Sequence, residues 1–84
     1  MTTRAAIAMR VRDLVSQVLD VPVDSIGQDF SQETAASWTS LNHLMLISQI
    51  ESEFGLTFSN QEIREATSFQ RIVEALASRH RDVT

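Results

Sequence analysis

The chain has 84 residues, with seven arginines, no lysine, eleven aspartates or glutamates and a formal net charge of −4. This length supports one hydrophobic core, so a single domain over residues 1–84 is expected, and the absence of cysteine excludes disulfides, thiolate metal sites and a thiol nucleophile. The negative charge disfavours nucleic acid and anionic membranes as partners and favours a protein with a basic docking patch.

The first predicted helix spans about residues 3–19. Its apolar residues have the spacing of one buried helical stripe; they are Ile7, Val11, Leu14, Val15, Val18 and Leu19. Pro22 disfavours helical backbone in the residue before it and ends the pattern. A long connection then reaches about Trp38, and an unsupported loop of that length would be unusual. We therefore expect four apolar residues to pin it onto the helices: Val23, Ile26, Phe30 and Trp38.

The second predicted helix spans about residues 40–54, and Gly55 is suited to end it in a left-handed conformation. At about 100° per residue its apolar residues form two groups on nearly opposite faces. One group is Leu46, Ile47, Ile50 and Phe54, and the other is Leu41, Leu44 and Met45. Only one face can join the core. The other either lies under the long connection or the third helix, or forms a strip for docking a partner.

Two further helices follow closely. Ser59 and Glu62 have capping-box spacing, which predicts a short helix over about 60–66. The same spacing at Thr67 and Gln70 opens an apolar stripe that predicts a fourth helix over about 68–79. The sequence, with only two glycines and one proline, thus predicts an all-α fold: a small four-helix bundle with three main helices, one short third helix and a long first connection.

The run from Trp38 to Leu56 resembles the central motif of acyl carrier proteins. Thr39-Ser40-Leu41, preceded by Trp38, stands where that family has Asp-Ser-Leu, commonly preceded by a tryptophan or a small apolar residue, and Glu53-Phe54-Gly55-Leu56 resembles its Glu-Phe-Gly-Ile ending. The stretches 21–26 and 67–69 resemble the segment after the family's first helix and the entry to its last helix. The resemblance therefore covers nearly the entire chain and implies the four-helix fold of that family.

The resemblance implies that Ser40 carries a covalent 4′-phosphopantetheine, whose terminal thiol holds acyl or aminoacyl groups as thioesters. Thr39 and Leu41 would then frame the attachment site. The expected partners are a phosphopantetheinyl transferase and the enzymes that load the cargo and use it. Four residues of the second helix are expected to contact these enzymes: Leu44, Met45, Glu51 and Glu53.

The resemblance further implies a carrier without enzymatic activity, and we expect a free-standing monomer. A specialised pathway, such as polyketide or nonribosomal peptide biosynthesis, is favoured over bulk fatty acid synthesis. One departure supports an alternative: Thr39 replaces the family's aspartate before the serine and offers no carboxylate to a modifying enzyme. The alternative is an unmodified module with a carrier-like fold that binds proteins through the second helix. Thr39 is still expected to cap that helix.

Several other residues are given structural interpretations. His43 lies three residues after Ser40, which suggests a Ser–His hydrolase, but a partly buried structural histidine is favoured because no orienting group is evident. Trp38 is interpreted as a core anchor. Arg10 and Arg12 are expected to face water. No residues have metal-ligand spacing, so no bound metal is predicted. The sequence also has no signal peptide or membrane-length apolar run, so a cytoplasmic location is expected.

Overall fold

The computed structural model of the protein describes residues 3–81. Within that range the chain forms four α-helices and a short 3₁₀ turn at Val23–Ser25. The helices are α1 (Arg4–Leu19), α2 (Ser40–Phe54), α3 (Asn60–Glu65) and α4 (Phe69–Arg81). Helix α1 packs against both α2 and α4. The predicted all-α bundle with three longer helices and one short helix is therefore confirmed.

The helix ends follow from local capping. Helix α1 begins one residue later than expected because Thr3 is its N-cap, with its hydroxyl accepting from the Ala6 amide at 3.1 Å. The capping spacing predicted at Thr67 and Gln70 was wrong by one residue: Ser68 precedes α4, and its hydroxyl accepts from the Arg71 amide at 3.1 Å. Helix α4 also runs two residues beyond the expected end at 79, since no glycine or proline follows there.

Helix α3 is one residue shorter than the expected range 60–66. Its first turn holds the predicted capping box, in which the Ser59 hydroxyl accepts from the Glu62 amide at 3.1 Å and the Glu62 carboxylate accepts from the Ser59 amide at 2.8 Å. Ala66 leaves the helical region, with φ −82° and ψ 57°. The chain therefore turns from α3 into α4 with only three residues between them.

The core consists of apolar side chains from every α-helix except α3 and from the connections. Its most deeply buried large members are Ile7, Val11, Val15, Leu19, Leu46, Ile50, Ile72 and Leu76. Partly buried side chains, among them Phe54 and Ile63, pack against this cluster. Removal of this apolar surface from water is the main stabilising contribution to such a fold.

The long connection between α1 and α2 is fastened to the bundle. Ile26 and Trp38 are buried, and the Phe30 ring stacks on Trp38 with centroids 5.8 Å apart. The connection also pairs with the chain before α4, where the Gln32 amide donates to the Thr67 carbonyl at 2.8 Å. The prediction was wrong for Val23, which is exposed because it opens the 3₁₀ turn on the surface.

Of the two arginines expected to face water, Arg10 is exposed, but the expectation was wrong for Arg12. The Arg12 guanidinium is 5.0 Å from the centroid of the Phe69 ring, and its Nε donates to the Ile26 carbonyl at 3.1 Å. Arg12 therefore fastens the connection against the start of α4. A planar guanidinium can stack on an aromatic face while donating in its own plane, so a charged residue can fill this position.

Candidate functional site

Ser40 is the first residue of α2 and is exposed. Its hydroxyl makes no hydrogen bond to any residue between 3 and 81. The backbone N–H groups of Ser40 and Leu41 likewise have no acceptor within that range. The start of a helix concentrates unpaired N–H donors and the positive end of the helix dipole, which stabilises an anion there. Ser40 thus presents a free hydroxyl beside donors suited to a phosphate.

Thr39 is the N-cap of α2. Its backbone is extended, with φ −79° and ψ 171°, and its hydroxyl accepts from the Asn42 amide at 3.2 Å. The Asn42 side chain in turn donates to the Ser37 carbonyl at 2.7 Å, which ties the connection to the first turn. The predicted capping role of Thr39 is confirmed. A hydroxyl performs it as well as a carboxylate would, so the helix start does not require aspartate.

Trp38 and His43 support this helix start from the interior. The indole N–H of Trp38 donates to Nδ1 of His43 at 3.0 Å, and Nε2 of His43 lies 2.8 Å from the Ile63 carbonyl oxygen. An indole N–H only donates and a carbonyl only accepts, so the pair of contacts requires the neutral imidazole with its proton on Nε2. Both ring nitrogens are therefore occupied, and His43 has no free position from which to act as a base on Ser40.

These contacts confirm two interpretations made from the sequence. Trp38 and His43 are both buried, as a core anchor and a structural histidine should be. The sequence did not indicate the bond between them. They are five residues apart, and Trp38 precedes the helix, so no regular helical or strand spacing predicts their contact.

The second apolar face of α2 is open to solvent. Leu41, Leu44 and Met45 are 68%, 58% and 50% exposed, respectively. Neither the long connection nor α3 covers them. Of the two alternatives for this face, covered or exposed, the structure has the exposed one. We call these three residues the apolar strip. Exposed side chains of this size placed together are typical of interaction surfaces.

A groove of about 480 Å³ opens beside Ser40. It lies between the start of α2, α3 and the connections, and its lining residues are Gln32, Ser40, His43, Leu44, Ile63, Arg64 and Thr67. Arg64 is the charged residue of this lining, and its guanidinium makes no ion pair in the range 3–81. The sequence pattern does not indicate Arg64 as a site residue, because nothing local to it places α3 against the start of α2.

No known family profile matches the chain. Among curated proteins, the polyketide-8 synthase acyl carrier protein 2 of Streptomyces avermitilis is 31% identical over 78 residues, which are 93% of this chain and 90% of that relative. The match extends over nearly all of both sequences. The chain belongs to the acyl carrier protein family.

Membership of the acyl carrier protein family confirms the resemblance seen in the Ser40 motif. The acids expected on the docking helix, however, are engaged within the protein. Glu51 accepts from the Phe58 amide at 2.8 Å through its carboxylate and so fastens the loop after α2. Glu53 accepts two hydrogen bonds from Arg10 of α1, at 2.8 and 2.9 Å. These hydrogen bonds and the positive charge of Arg10 lower the pKa of Glu53.

The structure does not bring Glu53 together with the apolar strip. Nine residues along an α-helix place it about 180° around the axis from Leu44, on the side that meets α1. Glu51 is on the same side of the helix as Leu44, but two turns further along and bonded to Phe58. The expected partner residues of this acyl carrier protein thus divide into exposed Leu44 and Met45, next to Ser40, and two carboxylates with structural contacts.

Within residues 3–81, no helix of this acyl carrier protein is long and apolar enough to cross a membrane.

Proposed function

We propose that this acyl carrier protein holds acyl intermediates on a 4′-phosphopantetheine attached to Ser40, in a polyketide or related specialised pathway. The observation that carries the proposal is the Ser40 hydroxyl, exposed and unbonded at the first position of α2 beside unpaired Ser40 and Leu41 amides. The polyketide assignment rests on the name of the relative from Streptomyces avermitilis. The free-standing, monomeric state and the cytoplasmic location stay predictions.

The residues present fit the prosthetic group. The amides of Ser40 and Leu41 would face the phosphodiester, and the groove lined by Leu44 and Ile63 leaves space beside it. When bound, the group supplies the terminal thiol that holds cargo as a thioester, in a chain that has no cysteine. Thr39 and Leu41 flank the attachment point, and Thr39 holds the first turn in place through Asn42.

The protein's own part in attachment is to present a nucleophilic oxygen. Both nitrogens of His43 are bonded elsewhere, so the proton released from the Ser40 hydroxyl has to pass to a base of the transferase. This arrangement argues for a carrier without catalytic activity of its own. It also argues against a Ser–His hydrolase, because His43 has no free imidazole nitrogen to accept the proton of the serine.

The test is the intact mass of the protein after incubation with coenzyme A and a broad-specificity phosphopantetheinyl transferase. We expect a mass increase equal to one phosphopantetheine group, and we expect it to be absent from Ser40→Ala. Ser37→Ala is a matched control, since Ser37 lies in the same segment but outside the helix, and it should gain the full increase. A wild-type mass that stays that of the bare polypeptide contradicts the proposal.

The alternative is an unmodified carrier-like module that binds proteins through α2. The observation that favours it is Thr39, which caps the helix fully without the carboxylate that the family places there. Under this alternative the apolar strip serves as a docking surface and Ser40 remains a plain helix residue. Absence of a mass increase, together with partner binding that is unchanged in Ser40→Ala, supports this alternative.

A further inference from the structure

The chain as a whole is acidic, but the charged side chain in the groove beside Ser40 is an arginine. The net charge of −4 favours a partner with a basic patch, but the two acids of α2 have intramolecular partners. The remaining exposed polar side chains of α2 outside its first turn are neutral: Ser48, Gln49 and Ser52. The exposed face of α2 next to Ser40 therefore consists of the apolar strip and uncharged residues.

The two glutamates and the arginine of α3 line different cavities. Glu62 and Glu65 line a different cavity, of about 310 Å³, together with residues of α4. Glu62 is held there by Arg79, whose Nη2 donates to it at 2.6 Å, and Glu65 accepts from Gln61 at 3.1 Å. Arg64 lines the groove beside Ser40 instead.

The residues that line this groove include no aspartate or glutamate. Glu33, which follows the lining residue Gln32 in the connection, lines a neighbouring cavity together with Arg71. In the part of the chain that the structure describes, the charged side chain that lines this groove is therefore Arg64, which forms no ion pair there.

We propose that the enzyme surface that docks on this carrier at Ser40 is apolar and acidic: an apolar patch covers Leu41, Leu44 and Met45, and a carboxylate pairs with Arg64. This deepens the proposed function and rests on it. A basic surface would find Glu53 already paired with Arg10 and Glu51 two turns away from Leu44, and it would meet Arg64 with like charge. An apolar surface gains by removing the strip from water, and a carboxylate can pair with the guanidinium in two parallel hydrogen bonds.

The test measures binding of the unmodified protein to the phosphopantetheinyl transferase of the same organism, without coenzyme A, so that no phosphate of the arm contributes. Two variants make the docking face more acidic: Met45→Glu in the strip and Arg64→Glu in the groove. Each has a matched control at an exposed site elsewhere, Met9→Glu and Arg4→Glu, both on α1. Far-UV circular dichroism verifies that all four variants are folded.

We expect Met45→Glu and Arg64→Glu each to raise the Kd about tenfold or more, and both controls to change it less than about threefold. If the docking surface is basic, both variants should instead bind more tightly, with a lower Kd than the wild type. An unchanged or lower Kd for either variant, or no detectable binding by the wild type, overturns this inference. The intact-mass measurement tests the proposed function separately. If the mass of the wild type increases but Met45→Glu binds the transferase more tightly, the protein is a carrier and the proposed docking chemistry is wrong.

Discussion

The indole N–H of Trp38 donates to Nδ1 of His43 at 3.0 Å, and this bond joins the long connection to the first turn of α2. Because Nε2 of the same ring contacts the Ile63 carbonyl, one imidazole links the connection, α2 and α3. The helix start that carries Ser40 is thus bonded to both the connection and α3, which is how a small protein can present an exposed nucleophile in a fixed position.

Replacement of Trp38 by Phe tests this bond. The variant keeps an aromatic ring to pack on Phe30 but leaves Nδ1 of the buried His43 without a donor. We expect the free energy of unfolding to fall by about 1–3 kcal/mol, the cost of an unsatisfied buried polar group together with the smaller ring. Urea unfolding followed by circular dichroism measures it, since the only tryptophan is lost in the variant. The control Leu41→Ala, at an exposed position, should shift stability by no more than about 0.5 kcal/mol. Equal stability of both variants would show that the bond contributes nothing.

Two substitutions of Thr39 test its capping role separately from the effect of a carboxylate at that position. Thr39→Ala removes the acceptor for the Asn42 amide and should lower the free energy of unfolding by about 1 kcal/mol. Thr39→Asp keeps an acceptor and adds negative charge at the positive end of the helix, so it should be at least as stable as the wild type. Thermal unfolding measures both, with Thr57→Ala as a control at an exposed threonine outside the helices. A stable Thr39→Ala would mean that the cap is dispensable.

The sequence predicted best those features that depend on neighbouring residues. Helix α2 begins at Ser40 and ends at Phe54, as expected, because a capping threonine and a left-handed glycine are both local signals. The buried face of α2 followed from helical periodicity for the same reason. The fold class required only these local features and the absence of strand patterns.

The contacts that define the surface of the site were not predictable in this way. Glu53 pairs with Arg10, which is 43 residues earlier in the chain, and Arg64 reaches the groove only because α3 folds against the start of α2. Such pairs depend on how the helices are placed relative to one another. Helical periodicity places Glu51 and Glu53 on α2. It does not show that other parts of the chain bind their carboxylates.

Gly55 ends α2 with a φ of 66°, in the left-handed region that residues with a β-carbon disfavour. Gly55→Ala should therefore lower the free energy of unfolding by about 1–2 kcal/mol, although its β-carbon would meet no atom within 4 Å. Gly27 provides the matched control because it too has open space and shows no such φ. Gly27→Ala should be neutral or stabilising by up to about 1 kcal/mol, since it restricts the unfolded chain. Similar losses for both variants in urea unfolding would contradict the conformational explanation.

The ionisation of Glu62 makes the free energy of unfolding depend on pH. The hydrogen bond from the Ser59 amide, followed by the one from Arg79, lowers the pKa of Glu62 below its ordinary value near 4.3. A carboxyl whose pKa is lower in the folded state stabilises the fold fully above its unfolded pKa, and this contribution is lost as the pH falls through the folded pKa.

Glu62→Gln should therefore be less stable than the wild type at pH 7, and the difference should shrink as the pH falls below about 4.3. Urea unfolding at a series of pH values measures it. Glu33→Gln, which makes the same change in net charge at an exposed position of the connection, should show a smaller difference at pH 7. The difference is expected to vanish in acid because protonated Glu62 can no longer pair with Arg79 as an anion, so it resembles glutamine in charge. A difference that is constant down to the lowest pH at which the protein folds would mean that Glu62 acts through the shape of its side chain and not through its charge.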